Sequence, residues 1–238
     1  DGCQILAVTQ SLVSNFLSDK TNIEWSKFAP IAMLSRTPMA VVARGNLRDA
    51  NLANIIEVAL QNPNVVLVGE TSNPLEQMFR MSLEDASGVR FKITVFETAR
   101  QSFLELLADN LDLGIISASA AKRRMDLKQL KIVATTERLE NERLVGVPSL
   151  KDQGIDLSFG VDRGIMAPMD TPPEIIAKIM ERFQKASDDP ELEGRLGKIY
   201  TKIMFLDPDS YTQYFENLTA DWSEMIERTQ QRPARTPG

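Results

Sequence analysis

Three short polar stretches carry the residue types that could do chemistry in this chain. Glu70-Thr71-Ser72-Asn73 follows the apolar run Val65 to Gly69 and precedes Pro74. Glu97-Thr98-Ala99-Arg100 follows a second apolar run, and Thr9-Gln10-Ser11 follows a third. Hydroxyls and amides at the start of a helix suit anion binding, because the first backbone N–H groups are unpaired and the helix dipole is positive there. The same residue types also serve simply as caps, the commoner use of a Ser72-Asn73 pair. Arg100 offers a bidentate fork to a carboxylate, or is a solvated surface cation. Asp112, early in the next apolar run, is either an acid in a cleft or an edge residue.

What the chain lacks narrows the chemistry further. It has no histidine and a single cysteine, Cys3. Ser-His-Asp triads, Cys-His dyads, histidine-metal sites and an internal disulfide are therefore excluded. Catalysis would need carboxylates, with Glu70, Glu97 and Asp112 as the acid–base candidates, or else lysine or a cofactor; no catalytic residue, metal or cofactor is expected. The net charge is −6, from 27 basic and 33 acidic residues. The basic residues are interspersed with acids, so no patch points to nucleic acid. No apolar run approaches the roughly 18 residues that span a bilayer.

The elements that must position these stretches alternate between strand and helix. Gln4–Val8, Ile31–Leu34 and Met39–Ala43 read as strands. Leu52, Ile55, Ile56, Ala59 and Leu60 mark one apolar helix face. Val65–Val68, Arg90–Phe96 and Leu111–Ile116 are strands separated by helices, two successive βαβ units that imply a parallel sheet. Leu130–Thr135 is a further strand, Ser158 to Ala167 is extended, and the remainder is mostly helical. Ligands of open parallel sheets sit beyond the carboxyl ends of the strands, which is where all three polar stretches fall. Trp25 and Trp222 read as packing residues.

The segment Gly160 to Ile176 runs from an extended element through Ala167-Pro168 into a helix opened by Thr171-Pro172-Pro173-Glu174. Thr171 is placed to cap that helix, and the prolines pre-set its first turn. Its order, G-x-x-R-G-x-x-A-P-x-x-T-P-P-E-I-I, resembles a phrase of the TctC/Bug family, the extracytoplasmic solute receptors of tripartite tricarboxylate transporters. Other segments resemble that family in the same order. Asp1-Gly2-x-x-Ile5-Leu6 is similar to its D-G-Y-T-L-L strand, and Phe28-Ala29-Pro30-Ile31-Ala32 to D-F-x-P-V-A. Leu52–Ile56 is similar to T-L-A-E-L-I, and Val147-Pro148-Ser149 through Gly154 to V-P-T-x-x-E-x-G.

The resemblance implies an α/β fold of the type II periplasmic-binding-protein kind, two lobes with parallel-rich sheets and a ligand cleft between them. Residues 44–117 would form one lobe, and residues 1–43 with 118–238 the other. It implies that the family's first strand and helix lie before Asp1. It implies an extracytoplasmic, periplasmic receptor without catalysis, serving permease subunits in the membrane and taking a small organic acid or amino acid. A sensory or regulatory module on the same two-lobed fold is the alternative. The candidate ligand-binding residues are Thr9, Gln10, Ser11, Thr71, Ser72, Asn73, Thr98, Arg100, Asp112, Asp162 and Arg163. The chain departs from the family where a lysine gives way to Glu97 and an aromatic to Asp162. Glu70, Glu97 and Asp162 are then expected near the cleft, with Arg100 and Arg163 as their counter-charges.

Overall fold

The computed structural model describes residues 4–47, 51–125, 130–139 and 146–231. The elements follow in the order β1 (Leu6–Thr9), α1 (Ser11–Leu17), β2 (Phe28–Arg44), α2 (Leu52–Gln61), β3 (Leu67–Thr71), α3 (Pro74–Ser87), β4 (Lys92–Phe96) and α4 (Ala99–Leu107). Then come β5 (Leu113–Ser117), α5 (Ala118–Met125), β6 (Leu130–Thr135), β7 (Gly160–Pro168), α6 (Pro173–Ser187), α7 (Pro190–Gly197), β8 (Lys202–Leu206) and α8 (Pro208–Gln231).

The two expected βαβ units form, but their first strand is shifted toward the C-terminus: it spans Leu67–Thr71, leaving Val65 exposed before it and taking Glu70 and Thr71 out of the expected loop. β3 lies between β4 and β5 and is parallel to both. Asn73 caps α3, Pro74 takes its first turn, and Gly88 ends it in the left-handed region at φ 74°, where only glycine is unstrained. The other strand pairs are antiparallel: β1 with β7, and β2 with β5, β6, β7 and β8.

Two expectations are corrected and one strand is added. Ile31–Leu34 and Met39–Ala43 are one strand, the 17-residue β2. Register shifts near Pro30 and Met33 let it bend without ending, and such bulges change a strand's direction while keeping its pairing. Between the helices of the C-terminal part, Lys202–Leu206, unassigned from the sequence, adds β8 to the edge of β2. Thr171 does not cap α6: Pro172 holds the N-cap position without a side-chain bond, and the Thr171 amide donates to the Pro168 carbonyl at 3.0 Å.

β2 joins the two halves of the sheet system. Its first part, Phe28–Pro38, pairs with β7, and Met39–Arg44 pairs with β5 and β6. Side chains along its second part alternate between two cores, as the period of a strand requires. Met39, Val41 and Ala43 enter the largest cluster, with Val68 of β3, Phe79 of α3, and Phe215 and Trp222 of α8. Ala40 and Val42 enter a second cluster with Leu106 and Ile132. On α2, Leu52, Ile55 and Ala59 are buried as their spacing predicts, but Leu60 stays exposed. Both tryptophans pack: Trp25 stacks on Phe215 and Trp222 on Phe159.

Candidate functional site

Thr71 and Phe96 are in register at the ends of β3 and β4, so the stretches after them leave the same sheet edge. The Thr71 hydroxyl donates to Glu76 Oε2 at 2.6 Å, and its amide donates to the same oxygen. Asn73 Oδ1 accepts the Leu75 amide at 3.0 Å. Thr98 and Gln101 form a reciprocal capping box at the start of α4, which satisfies two otherwise free donors. Three of the candidates at this edge thus hold helix starts in place. Ser72 and Arg100 are exposed and have no partner among the described residues.

Asp112 lies at the opposite end of this unit. It directly precedes β5, where its Oδ2 accepts the Leu67 amide at 2.9 Å and its Oδ1 pairs with Arg44 at 3.1 Å. Thr71 is four positions along β3 from Leu67, about 13 Å of strand. Asp112 therefore fastens strand starts and is not brought together with Thr71 or Thr98.

The remaining candidates meet where β1 ends. Thr9 faces Arg163 in the β1–β7 ladder, and its hydroxyl accepts the Ser11 amide at 3.2 Å. Gln10 is buried and grips β7 twice: its side-chain amide donates to the Gly160 carbonyl, and its Oε1 accepts the Asp162 amide at 2.8 Å. Asp162 is 3% exposed. Arg36 of β2 holds it bidentately, Nε to Oδ1 at 2.5 Å and Nη2 to Oδ2 at 2.6 Å. The Tyr214 hydroxyl of α8 donates to Oδ2 at 2.6 Å.

Glu137 joins the network through Arg36 at 3.3 Å and through Lys202. Burial opposes the charge on Arg36, but the hydrogen bond and charge of Asp162 outweigh it and hold the guanidinium protonated. Burial, reinforced by the Asp162 charge, keeps the Tyr214 phenol protonated as well. A buried carboxylate with three donors on it is satisfied, whereas one left alone would be costly.

For Asp162 and Glu70 the expected counter-charges are therefore wrong. Asp162 is neutralised by Arg36, and Glu70 by Arg80 at 2.9 Å. Arg163 donates to the Thr37 hydroxyl at 2.7 Å and to the Val161 carbonyl at 3.1 Å. Arg36 and Tyr214 were missed by the sequence reading. The available signal was an arginine inside a long apolar strand, which must find an anion if it is buried.

Gln10, Arg36 and Asp162 also floor a cavity of about 450 Å³ whose walls are Ser82 and Asp85 of α3, residues 157–159 with the start of β7, and the Tyr214 to Arg228 face of α8. α1, which begins at Ser11, packs against α3, which begins at Pro74. The cavity thus opens between elements of the parallel unit and elements of the β1–β7–β2 sheet. Among the described residues no helix is long and apolar enough to cross a membrane.

The sequence profile of the tripartite tricarboxylate transporter family receptor, TctC, matches residues 1–230. A UPF0065 protein from the TAR-I ttuE-ttuC' intergenic region of Agrobacterium vitis is 21% identical over 176 residues, 73% of this chain and 51% of its own length. The chain thus spans about half the length of the curated relatives it matches. Among solved structures, a TctC solute-binding protein from Polaromonas superposes with a TM-score of 0.79 at 22% identity, covering 96% of this chain and 79% of that one. R. palustris Rpa4515, described with adipate, superposes with a TM-score of 0.77 at 17% identity, covering 95% and 78%. At these identities the likeness is one of fold, but with a profile match over nearly its whole length the chain belongs to the tripartite tricarboxylate transporter receptor family, TctC.

Proposed function

We propose that this protein is a receptor that captures a small carboxylate-bearing solute and performs no chemistry on it. The family match over residues 1–230 carries the reading, and the Rpa4515 neighbour is described with a dicarboxylate, adipate. The solute would sit between two lobes, residues 44–117 and residues 1–43 with 118–238, at the edge where α3 and α4 begin. Ser72 and Arg100 are its first contacts there, backed by the amides and dipoles of the two helix starts. By family, the receptor would work outside the cytoplasm and deliver its solute to membrane permease subunits.

A thermal-shift screen of mono-, di- and tricarboxylates and amino acids on the purified protein tests this. A solute that binds only the folded state stabilises it by RT ln(1 + [L]/Kd), about 2.7 kcal/mol at a hundredfold excess over Kd. At least one carboxylate should raise the midpoint, and Ser72→Ala or Arg100→Ala should weaken its binding. If no carboxylate moves the midpoint, the receptor reading is wrong. Unchanged affinity in both variants would remove the two residues from the site.

A further inference from the structure

The cavity between α3 and α8 has a different chemistry from the helix-start edge. Five of its lining groups are charged: the carboxylates Asp85, Asp162 and Asp221, and the guanidiniums Arg36 and Arg228. Both guanidiniums are already committed. Arg36 is locked onto Asp162 by two bonds of 2.5 and 2.6 Å. Arg228 lies 2.9 Å from both Asp85 and Glu224. An entering carboxylate would find no open cation and would have to break one of these pairs to gain one, while a net negative wall repelled it.

An ammonium group would meet the reverse situation. Asp221, on the solvent-facing side of α8, has no partner among the described residues and can accept from a cation. Asn217 is one turn away on the same helix, and its Oδ1 already accepts from Gln213 at 3.0 Å. Phe159, Trp222 and Met225 form an apolar wall of the same cavity. They suit a hydrocarbon stem, and aromatic faces attract a nearby cation. A volume of about 450 Å³ is within the range of small-molecule sites.

We propose that the α3–α8 cavity binds a small organic amine, a solute carrying an ammonium group on a short apolar stem, through Asp221. This is a binding capacity separate from the carboxylate contacts at Ser72 and Arg100. It stands on the cavity and not on the receptor reading.

Matched five-carbon ligands test it on the purified protein by titration calorimetry: 1,5-diaminopentane, 5-aminopentanoate and glutarate. The diamine should bind, and glutarate should not compete with it. Asp221→Asn should weaken diamine binding about three- to fivefold, the scale of one partly exposed ion pair, and Asp221→Arg should abolish it. Asp221 is solvent-facing, so both variants should keep the wild-type circular dichroism spectrum and Tm. Diamine binding that ignores both substitutions would overturn the proposal, as would no diamine binding at all. Binding of other carboxylates that depends on Arg100 would leave the receptor reading standing in either case.

Discussion

Glu70 lies within the buried strand β3 at 4% exposure, and its ionisation should be visible in the stability of the protein. Burial raises its pKa, and the nearby Arg80 offsets this only in part. A carboxyl whose folded-state pKa is raised favours folding most when protonated. That contribution is complete below the unfolded value of about 4.3 and is lost as pH rises through the higher folded value. Glu70→Gln removes the charge while Arg80 keeps Glu84 at 2.7 Å, so no guanidinium is stranded. The variant should gain stability relative to wild type as pH increases from about 4 to 8 in denaturant titrations, and a pH-independent difference would refute the assignment. That hydroxyls, amides and charges gather after β1, β3 and β4 was legible in the sequence, because residues at strand ends are local facts. Which charge pairs with which was not, since Arg36 and Asp162 lie 126 positions apart and meet only through the β2–β7 register.

At the scale of elements, the segments with strong local signals folded where their patterns placed them, notably α2 and α3, while β3 starts two residues later than its apolar run. β2 was split in the reading because Ser35-Arg36-Thr37-Pro38 looks like a break, yet tertiary pairing on both sides carries the strand through it. β8 was missed because Lys202–Leu206 is short and takes its order from the edge of β2. The glycine at position 164 was legible as part of a family phrase, and the structure supplies its reason. A Cβ there would lie 2.6 Å from the Ala32 carbonyl oxygen and 2.4 Å from the Tyr211 hydroxyl. One of these is backbone and cannot swing aside. Gly164→Ala should cost about 1–3 kcal/mol, a fall in Tm of about 2–12 °C for a chain of this size. Gly194→Ala is the control: it lies in α7 with nothing within 4 Å and should be neutral or slightly stabilising. Equal effects of the two substitutions would show that close packing at Gly164 is not what selects glycine.

At the scale of the whole molecule, β2 and the core it threads link the two halves of the sheet system, which should therefore unfold as one cooperative unit. Met39 and Val41 sit in the same cluster as Val68, Leu113 and Phe79 on one side and Phe159, Tyr211 and Trp222 on the other. Neither half of the sheet system can open without exposing the other's apolar surface, each buried large side chain being worth about 1.5–3 kcal/mol. Both tryptophans report on the α8 side, through stacking on Phe215 and Phe159. Lesions in the parallel unit should therefore be felt by distant fluorophores. Gly69→Val offers such a lesion, since even a Cβ at that position would lie 2.4 Å from Leu111 Cδ1 and 2.6 Å from the Ser102 hydroxyl. In urea, its unfolding midpoint should fall by the same amount whether followed by tryptophan fluorescence or by far-ultraviolet circular dichroism, as a two-state transition requires. If fluorescence kept the wild-type midpoint while circular dichroism lost part of its signal earlier, the halves would be unfolding separately. β2 would then act as a flexible tether between independent lobes.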